Sequence, residues 1–286
     1  MVGNVFSPWY AKARAGASAA GAKADPLEHC TMNVALYGPR SATWALTERG
    51  AAEVSRGPAH LTIGASNLRW ERGELLIDLR EQTSPFPSLV PGRIVGRVRV
   101  IPTVLHGAPQ ALDAAGRHLW WAVAPLCRVE VELTEPALRW SGVGYHDANA
   151  GDAALEADFH GWDWSRADVD GRPVILYDAT LRDGRRTRSR LARRYRPDGS
   201  AEVIELPSEH PLGRTRWGIS RGTRCDHGAR AKVARTLEDA PFYARSVLST
   251  SLLGSRVHAM HESVDLDRFA SSWVRFLIPF RMRRGA

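Results

Sequence analysis

The sequence is poor in cysteine and lysine and has no long apolar run. Three widely spaced cysteines, Cys30, Cys127 and Cys225, form neither a disulfide framework nor a CxxC metal pair. We therefore expect a reducing, cytoplasmic compartment. No stretch approaches the roughly 20 apolar residues that span a bilayer, and the N-terminus lacks the pattern of a signal peptide. Any membrane association is therefore expected to be peripheral.

The positive charge is carried almost wholly by arginine. The net charge is +8, and only three of the 39 basic residues are lysines. Arginine suits phosphate, nucleic acid or anionic lipid surfaces, although a GC-rich genome also produces an arginine excess. Residues 185–196 contain seven arginines, and residues 269–284 place apolar residues beside Arg281, Arg283 and Arg284. Together these two segments favour contact with anionic lipid headgroups. The alternative for residues 185–196 is that they form the solvated face of a hairpin.

A nucleic-acid partner is not expected. The arginine-rich segment 185–196 has no aromatic stacking platform interleaved with its charges and matches no nucleic-acid-binding motif.

Alternation with a period of two predicts an all-β fold. Short alternating segments are bounded by Gly, Pro and Asp turns, at the spacing of about 8–12 residues typical of barrels and sandwiches. In residues 97–100 and 128–133 the alternation is strict, which indicates one buried and one exposed face. Residues 11–24 have no apolar stripe and indicate a loop or a loose helix. We predict antiparallel sheets in two domains, residues 1–136 and 137–286, divided at the proline- and tryptophan-containing segment 135–140.

Two pairs of residues combine a proton carrier with an aromatic ring. Residues two apart on a strand share a face, so His118 should lie beside Trp120, and Tyr145 beside Asp147. Taken alone, the first pair is more typical of a strand packing an aromatic side chain, and the second of a turn with Asx bonding. Residues 258–262 resemble a zinc motif but alternate like a strand, so we predict no metal site there.

Six segments together resemble a known family. They are VFSPWY at 5–10, EHCTMNVALYGP at 28–39, WALTERG at 44–50, YHDANAG at 145–151, GWDWSR at 161–166 and ESVDLDRF at 262–269. As a set they resemble the carotenoid 1,2-hydratases, or hydroxyneurosporene synthases, of carotenoid-making bacteria. The chain opens almost directly on the first segment, where the resemblance implies an earlier tryptophan-rich strand. We therefore expect a first domain that is truncated at its N-terminus.

The resemblance implies a fold, a reaction and a site. The implied fold is a pair of lipocalin-like antiparallel β-barrels. The implied activity is that of a hydro-lyase that needs no cofactor: water adds to the terminal C1–C2 double bond of acyclic carotenoids such as neurosporene and lycopene and gives a tertiary alcohol. The implied catalytic residues are His118, Trp120, Tyr145 and Asp147, with Asp147 as the proton donor. The implied partners are the carotenoid, water and an anionic membrane surface, the inner or photosynthetic membrane.

The chemistry agrees with these residue types. A carboxyl group in an apolar pocket has a raised pKa and can stay protonated near neutral pH, as Asp147 would need to. Aromatic faces such as those of Trp120 and Tyr145 stabilise a tertiary cation by roughly 0.5–2 kcal/mol each. His118 would act as a base or as an orienter of water.

Other functions are compatible with such a fold. The chief alternative is a lipocalin-like carrier that holds an isoprenoid pigment without transforming it. Related two-barrel proteins also act on other substrates, so the fold alone does not define the reaction.

Overall fold

The computed structural model describes residues 1–39, 42–84 and 90–285. The strands of the first half are β1 (Cys30–Tyr37), β2 (Ala42–Arg49), β3 (Val54–Gly57), β4 (His60–Ile63), β5 (Ser66–Glu71), β6 (Glu74–Gln82), β7 (Arg93–Val104), β8 (Gln110–Ala111), β9 (His118–Glu135) and β10 (Ala137–Gly151). Those of the second half are β11 (Phe159–Val169), β12 (Arg172–Leu181), β13 (Arg188–Tyr195), β14 (Ala201–Val203), β15 (Ser208–Leu212), β16 (Arg221–Cys225), β17 (Lys232–Asp239), β18 (Tyr243–Leu252), β19 (Ser255–Asp265) and β20 (Arg283–Arg284).

Helices are short and few. They are α1 (Pro8–Ala19), α2 (Leu155–Asp158), α3 (Leu266–Ala270) and α4 (Ser272–Leu277), with 3₁₀ turns at Pro26–His29, Ala51–Glu53 and Ile278–Phe280. The helix α1 begins where Ser7 accepts a hydrogen bond from the Tyr10 amide at 3.1 Å and Pro8 occupies the first turn. The sequence of residues 11–24 indicates a loop or a loose helix; the structure forms a helix over part of this range, and the cap at Ser7 and Pro8 is the signal that defines it. None of the helices in the described ranges is long and apolar enough to cross a bilayer.

The predicted all-β class is confirmed. One sheet has the strand order β10-β9-β7-β6-β5-β4-β3 with β8 paired to β9, and another the order β14-β13-β12-β11-β19-β18-β17. A three-stranded sheet, β1-β2-β20, and a two-stranded sheet, β15-β16, complete the described strands. Within the described residues each of the two large sheets has two open edges, and neither closes into the predicted β-barrel. The end strands β3 and β14 are only four and three residues long, so they offer few backbone groups for closure.

The chain divides into two compact units that interleave in sequence. The first comprises Met1–Pro102, Cys127–Gly144 and Arg275–Ala286, and the second comprises Thr103–Leu126 and Tyr145–Val274. The long strands β9 and β10 each contribute residues to both units. The division into domains at 136/137 stays a prediction.

Each unit has its own apolar core. The buried core residues of the first unit are Cys30, Met32, Ala45, Ile63, Leu79, Ile94, Val131 and Leu133. Those of the second unit are Ala167, Val169, Val174, Leu176, Ala192, Leu248, Leu252 and Ala259. The strict alternation predicted at 128–133 is confirmed, since Val131 and Leu133 are buried while Arg128 and Glu132 are exposed.

The strand β12 is buried on both faces. Seven consecutive residues, 173–179, are buried, so each of its faces lies against other parts of the second unit. Register pairs Tyr177 with Trp164 and Asp178 with Asp163 on the neighbouring β11. Adjacent residues point to opposite faces of a sheet. One face of the sheet therefore carries Tyr177, and the opposite face carries Asp178.

Gly161 allows β11 to approach β19 closely. A Cβ atom at this position would lie 2.1 Å from the Val264 carbonyl oxygen. We predict that Gly161→Ala destabilises the fold by about 1–3 kcal/mol, because the backbone must shift to relieve the overlap. Chemical denaturation measures the effect. The matched control is Gly213→Ala in the same unit, where an added Cβ meets nothing within 4 Å; equal loss in both variants would contradict the prediction.

Candidate active site

Asp147 receives two hydrogen bonds on one oxygen. The indole Nε1 of Trp120 donates to Oδ2 at 2.9 Å, and the Tyr145 hydroxyl donates to the same oxygen at 3.1 Å. Trp120 lies on β9, which pairs with β10, and Tyr145 precedes Asp147 by two residues on β10. Alternation along β10 places Tyr145 and Asp147 on one face. The structure thus brings three of the four predicted site residues together within the second unit.

His118 has a different partner. Its ring Nε2 lies 2.6 Å from Asp158 Oδ2, and its backbone amide donates to Asp113 Oδ1 at 2.8 Å. The side chain is buried, and the Phe159 ring packs edge-on against it at 4.9 Å between centroids. No hydrogen bond among the described residues joins His118 to Asp147. Asp158 therefore orients the imidazole, and sequence reasoning did not identify this carboxylate.

Aromatic rings surround Asp147 and its two hydrogen-bond donors. Tyr177 lies 5.8 Å from Trp120, and Trp164 lies 5.4 Å from Tyr145, between ring centroids. Trp162 extends the group at 6.3 Å from Tyr177. Separations of 4.5–7 Å are those of interacting aromatic pairs. The wall beside the acid is therefore made of ring faces and edges.

Burial governs the protonation of Asp147. Desolvation raises the pKa of its carboxyl group, the two hydrogen bonds from Trp120 and Tyr145 lower it, and the charge of Glu262 raises it further. The net direction is upward, since loss of hydration outweighs two donors. Glu262 itself is paired with Arg245 at 2.6 Å. The result is a carboxyl group that holds its proton to higher pH than an exposed aspartate.

The neighbouring phenols stay neutral. Burial is the main cause that raises the pKa of Tyr145. The pKa of Tyr177 is raised mainly by burial and further by the charge of Glu262. Tyr145 therefore remains a hydrogen-bond donor to Asp147 at any working pH.

Strand register identifies site residues that the sequence alone does not indicate. Trp164 on β11 lies opposite Tyr177 on β12 and opposite Glu262 on β19, so the three share one face of the sheet. Tyr177 and Glu262 carry no local signal of their own; only the pairing of these strands would have identified them. In the described ranges no three His, Cys, Asp or Glu side chains are grouped to hold a metal ion.

The opposite face of the same sheet lines a polar cavity of about 330 Å³ in the second unit. Asp163 Oδ1 accepts a hydrogen bond from Ser263, and its Oδ2 accepts one from the Gly222 amide at 3.2 Å. Burial raises the pKa of Asp163 to about 7, although 26% of its side chain faces open space. His261 contacts the Gly222 carbonyl at 2.7 Å, and burial lowers its pKa to about 4.

These two shifts predict opposing effects of pH on stability. Asp163 binds its proton more tightly in the folded state, so its contribution falls as pH rises from about 4 to about 7. His261 binds its proton less tightly when folded, so its contribution rises between about 4 and 6.5. We predict that the difference in unfolding free energy, wild type minus Asp163→Asn, decreases across pH 4 to 7. Denaturation at several pH values measures it, and a difference independent of pH would contradict the assignment.

Comparisons with known proteins agree with one another. The family model described as carotenoid hydratase CrtC matches residues 1–286. The acyclic carotenoid 1,2-hydratase of Thiocapsa roseopersicina is 47% identical over 285 residues, which cover 99% of this chain and 68% of the relative. That of Rubrivivax gelatinosus is 44% identical over 288 residues, which cover 100% of this chain and 68% of the relative.

A solved structure shares the fold. The crystal structure of a candidate AttH protein from Nitrosomonas europaea superposes with a TM-score of 0.58 at 14% identity, over 81% of this chain and 79% of that one. At this identity the similarity concerns the fold alone.

Proposed function

The chain belongs to the carotenoid hydratase CrtC family, and from this premise we propose that it hydrates the terminal C1–C2 double bond of acyclic carotenoids. The product is a tertiary 1-hydroxy carotenoid, and the enzyme is a hydro-lyase whose proposed chemistry uses no cofactor. The observation that carries the mechanism is the carboxyl of Asp147, which has a raised pKa and lies among aromatic rings.

Asp147 acts as the acid in this proposal. Its Oδ2 accepts both hydrogen bonds, from Trp120 and Tyr145, as the carbonyl oxygen of a neutral carboxylic acid can. Because both side-chain donors lie on Oδ2, the acidic proton is assigned to Oδ1. Transfer of this proton to C2 of the substrate breaks the double bond and leaves a tertiary cation at C1.

The aromatic rings stabilise the cation. Trp120, Tyr145, Trp164 and Tyr177 present π electrons and no strong nucleophile, so the cation is held without being captured by the protein. Each ring within reach is worth roughly 0.5–2 kcal/mol. The raised pKa of both tyrosines keeps their oxygens protonated and poorly nucleophilic.

Water then attacks C1 and loses a proton. We assign His118 as the base or orienter of this water. Asp158, 2.6 Å from His118 Nε2, orients the ring and stabilises the imidazolium that forms. The proton taken from the water passes from His118 to solvent, and Asp147 takes a proton from solvent, so the overall reaction adds one water molecule and regenerates both residues.

The buried acid distinguishes this proposal from a carrier. A protein that only holds a pigment has no need of a desolvated carboxyl group beside aromatic rings. Incubation with lycopene followed by chromatography separates the two, because a carrier returns the pigment unchanged.

Asp147→Asn removes the proton and keeps the shape and both hydrogen-bond acceptor contacts. We predict that hydration falls by at least about 1000-fold, since neither water nor the amide supplies a comparable acid, while lycopene still binds. Chromatography of the product and pigment co-purification measure the two effects. The matched control is Asp152→Asn, an exposed aspartate shortly after the end of β10, which should hydrate at the wild-type rate. Normal turnover by Asp147→Asn would remove Asp147 from the mechanism.

Tyr145→Phe tests the hydrogen bond alone. That bond lowers the pKa of Asp147, so its removal should raise the pKa further. Activity requires protonated Asp147 and falls as pH rises through this pKa. We therefore predict that the alkaline limb of the pH–rate profile moves to higher pH in Tyr145→Phe, with a lower maximum rate because the acid is less well oriented. An alkaline limb that stays in place or moves to lower pH would contradict the role of the bond.

We further propose peripheral contact with an anionic membrane surface on the cytoplasmic side. An acyclic carotenoid dissolves in the bilayer, so the enzyme must reach it there. Five of the seven arginines in residues 185–196 are engaged within the second unit. Arg188 and Arg190 pair with Asp178 and Glu209. Arg193 donates to Gln110, Arg194 donates to the Val169 carbonyl, and Arg196 pairs with Glu202. The C-terminal segment is therefore the stronger candidate for membrane contact.

A further inference from the structure

An arginine-rich cavity of about 710 Å³ lies in the first unit beside the C-terminal segment. Its charged lining residues are Arg49, Arg80, Glu81, Arg93, Arg283 and Arg284. Five guanidinium groups line this cavity with one carboxylate, although Arg49 also lies 3.7 Å from Glu53 and Arg93 pairs with Glu135 at 3.2 Å. Such an excess of Arg is typical of sites that recognise phosphate.

The carboxylate is already neutralised. The Glu81 side chain is fully buried, and it accepts hydrogen bonds from Arg49 Nη2 at 2.9 Å and from the Ser66 hydroxyl. Arg49 Nη1 is also buried but has no hydrogen-bond partner in the described residues. A buried donor without a partner is costly unless a ligand supplies an acceptor.

Three other cations lack a carboxylate partner in the described ranges. Arg283 donates to the Thr83 carbonyl at 3.1 Å and to Gln82 Oε1 at 3.1 Å, which are both neutral acceptors. Arg284 lies over the Trp9 ring at 5.6 Å, and Arg80 is exposed. Arg49 and Arg93 are paired with carboxylates, and the charges of these three arginines are therefore the uncompensated part of the wall.

Two exposed aromatic rings lie on the C-terminal segment that contributes residues to the cavity wall. Phe276 is 69% exposed and Phe280 58% exposed, and their centroids are 5.6 Å apart. Pro279, which lies between them in sequence, forms part of the cavity wall. Exposed phenylalanines beside arginines are the composition of segments that lie at a bilayer interface.

We propose that this cavity binds the phosphate-bearing headgroup of an anionic phospholipid, with Phe276 and Phe280 inserted at the acyl boundary. The inference rests on the proposed function, because a bilayer-dissolved substrate is what requires a membrane-docking surface. The exposed rings favour a lipid over free phosphate, since a soluble ion gains nothing from apolar neighbours. Guanidinium groups at the wall would supply bidentate hydrogen bonds to the phosphate oxygens.

Vesicle co-sedimentation tests the proposal. The probes are carotenoid-free vesicles of phosphatidylcholine alone or mixed with phosphatidylglycerol. We expect the wild-type protein to bind only the mixed vesicles. A double variant with Arg80→Gln and Arg284→Gln should bind them more weakly, by about fivefold for each arginine removed. Phe276→Ser should also weaken binding. The charge-conserving pair Arg80→Lys and Arg284→Lys should bind more tightly than the glutamine pair.

Matched controls lie in the same unit, outside the cavity wall. Arg139→Gln removes a guanidinium that is 81% exposed, and Val143→Ser removes an apolar side chain that is 69% exposed. Both should bind like the wild type. Thermal unfolding of every variant confirms that each is folded.

Three results would overturn the proposal. The first is that the variant with Arg80→Gln and Arg284→Gln binds vesicles as tightly as the wild type. The second is that Arg139→Gln weakens vesicle binding as much as that variant does. The third is that the protein binds glycerol phosphate in solution while Phe276→Ser leaves vesicle binding unchanged. Because the vesicles hold no carotenoid, failure here is separate from failure of the hydration mechanism, and Asp147→Asn should bind vesicles normally.

Discussion

Desolvation of the Asp147 carboxyl is the constraint on which the rest of the proposed site depends. An acid strong enough to be ionised at neutral pH would have no proton to give, and an aspartate in water is such an acid. Burial among rings reverses this by disfavouring the charged form. Two donors on a single oxygen orient the group without outweighing the effect of burial.

Strand alternation allows one sheet to hold two different environments. Tyr177 and Trp164 face the Asp147 group, whereas their sequence neighbours Asp178 and Asp163 face the polar cavity. Because β12 is buried on both faces, a register slip of one residue would exchange the two sets. The close approach at Gly161, just before the alternating segment of β11, helps to define that register.

Prediction from sequence succeeded where the signal is local. The shared face of Tyr145 and Asp147 follows from a period of two, and family membership was evident from six segments spread along the chain. The contributions of Tyr177 and Glu262 could not be predicted, because they depend on pairing between strands distant in sequence. The partner of His118 was likewise hidden, since Asp158 is 40 residues away on a short helix. The helix α1 had a readable cap in Ser7 and Pro8, but it has no apolar stripe.

The protonation state of Asp147 is the most direct test of the mechanism. Infrared difference spectroscopy detects the C=O stretch of a neutral carboxylic acid, and Asp163, whose pKa is also raised, is removed as a source by working in an Asp163→Asn background. The mechanism predicts a protonated-carboxyl band at neutral pH that disappears when Asp147→Asn is added. No such band at neutral pH, or a band that persists in the double variant, would contradict the assignment of Asp147 as the acid.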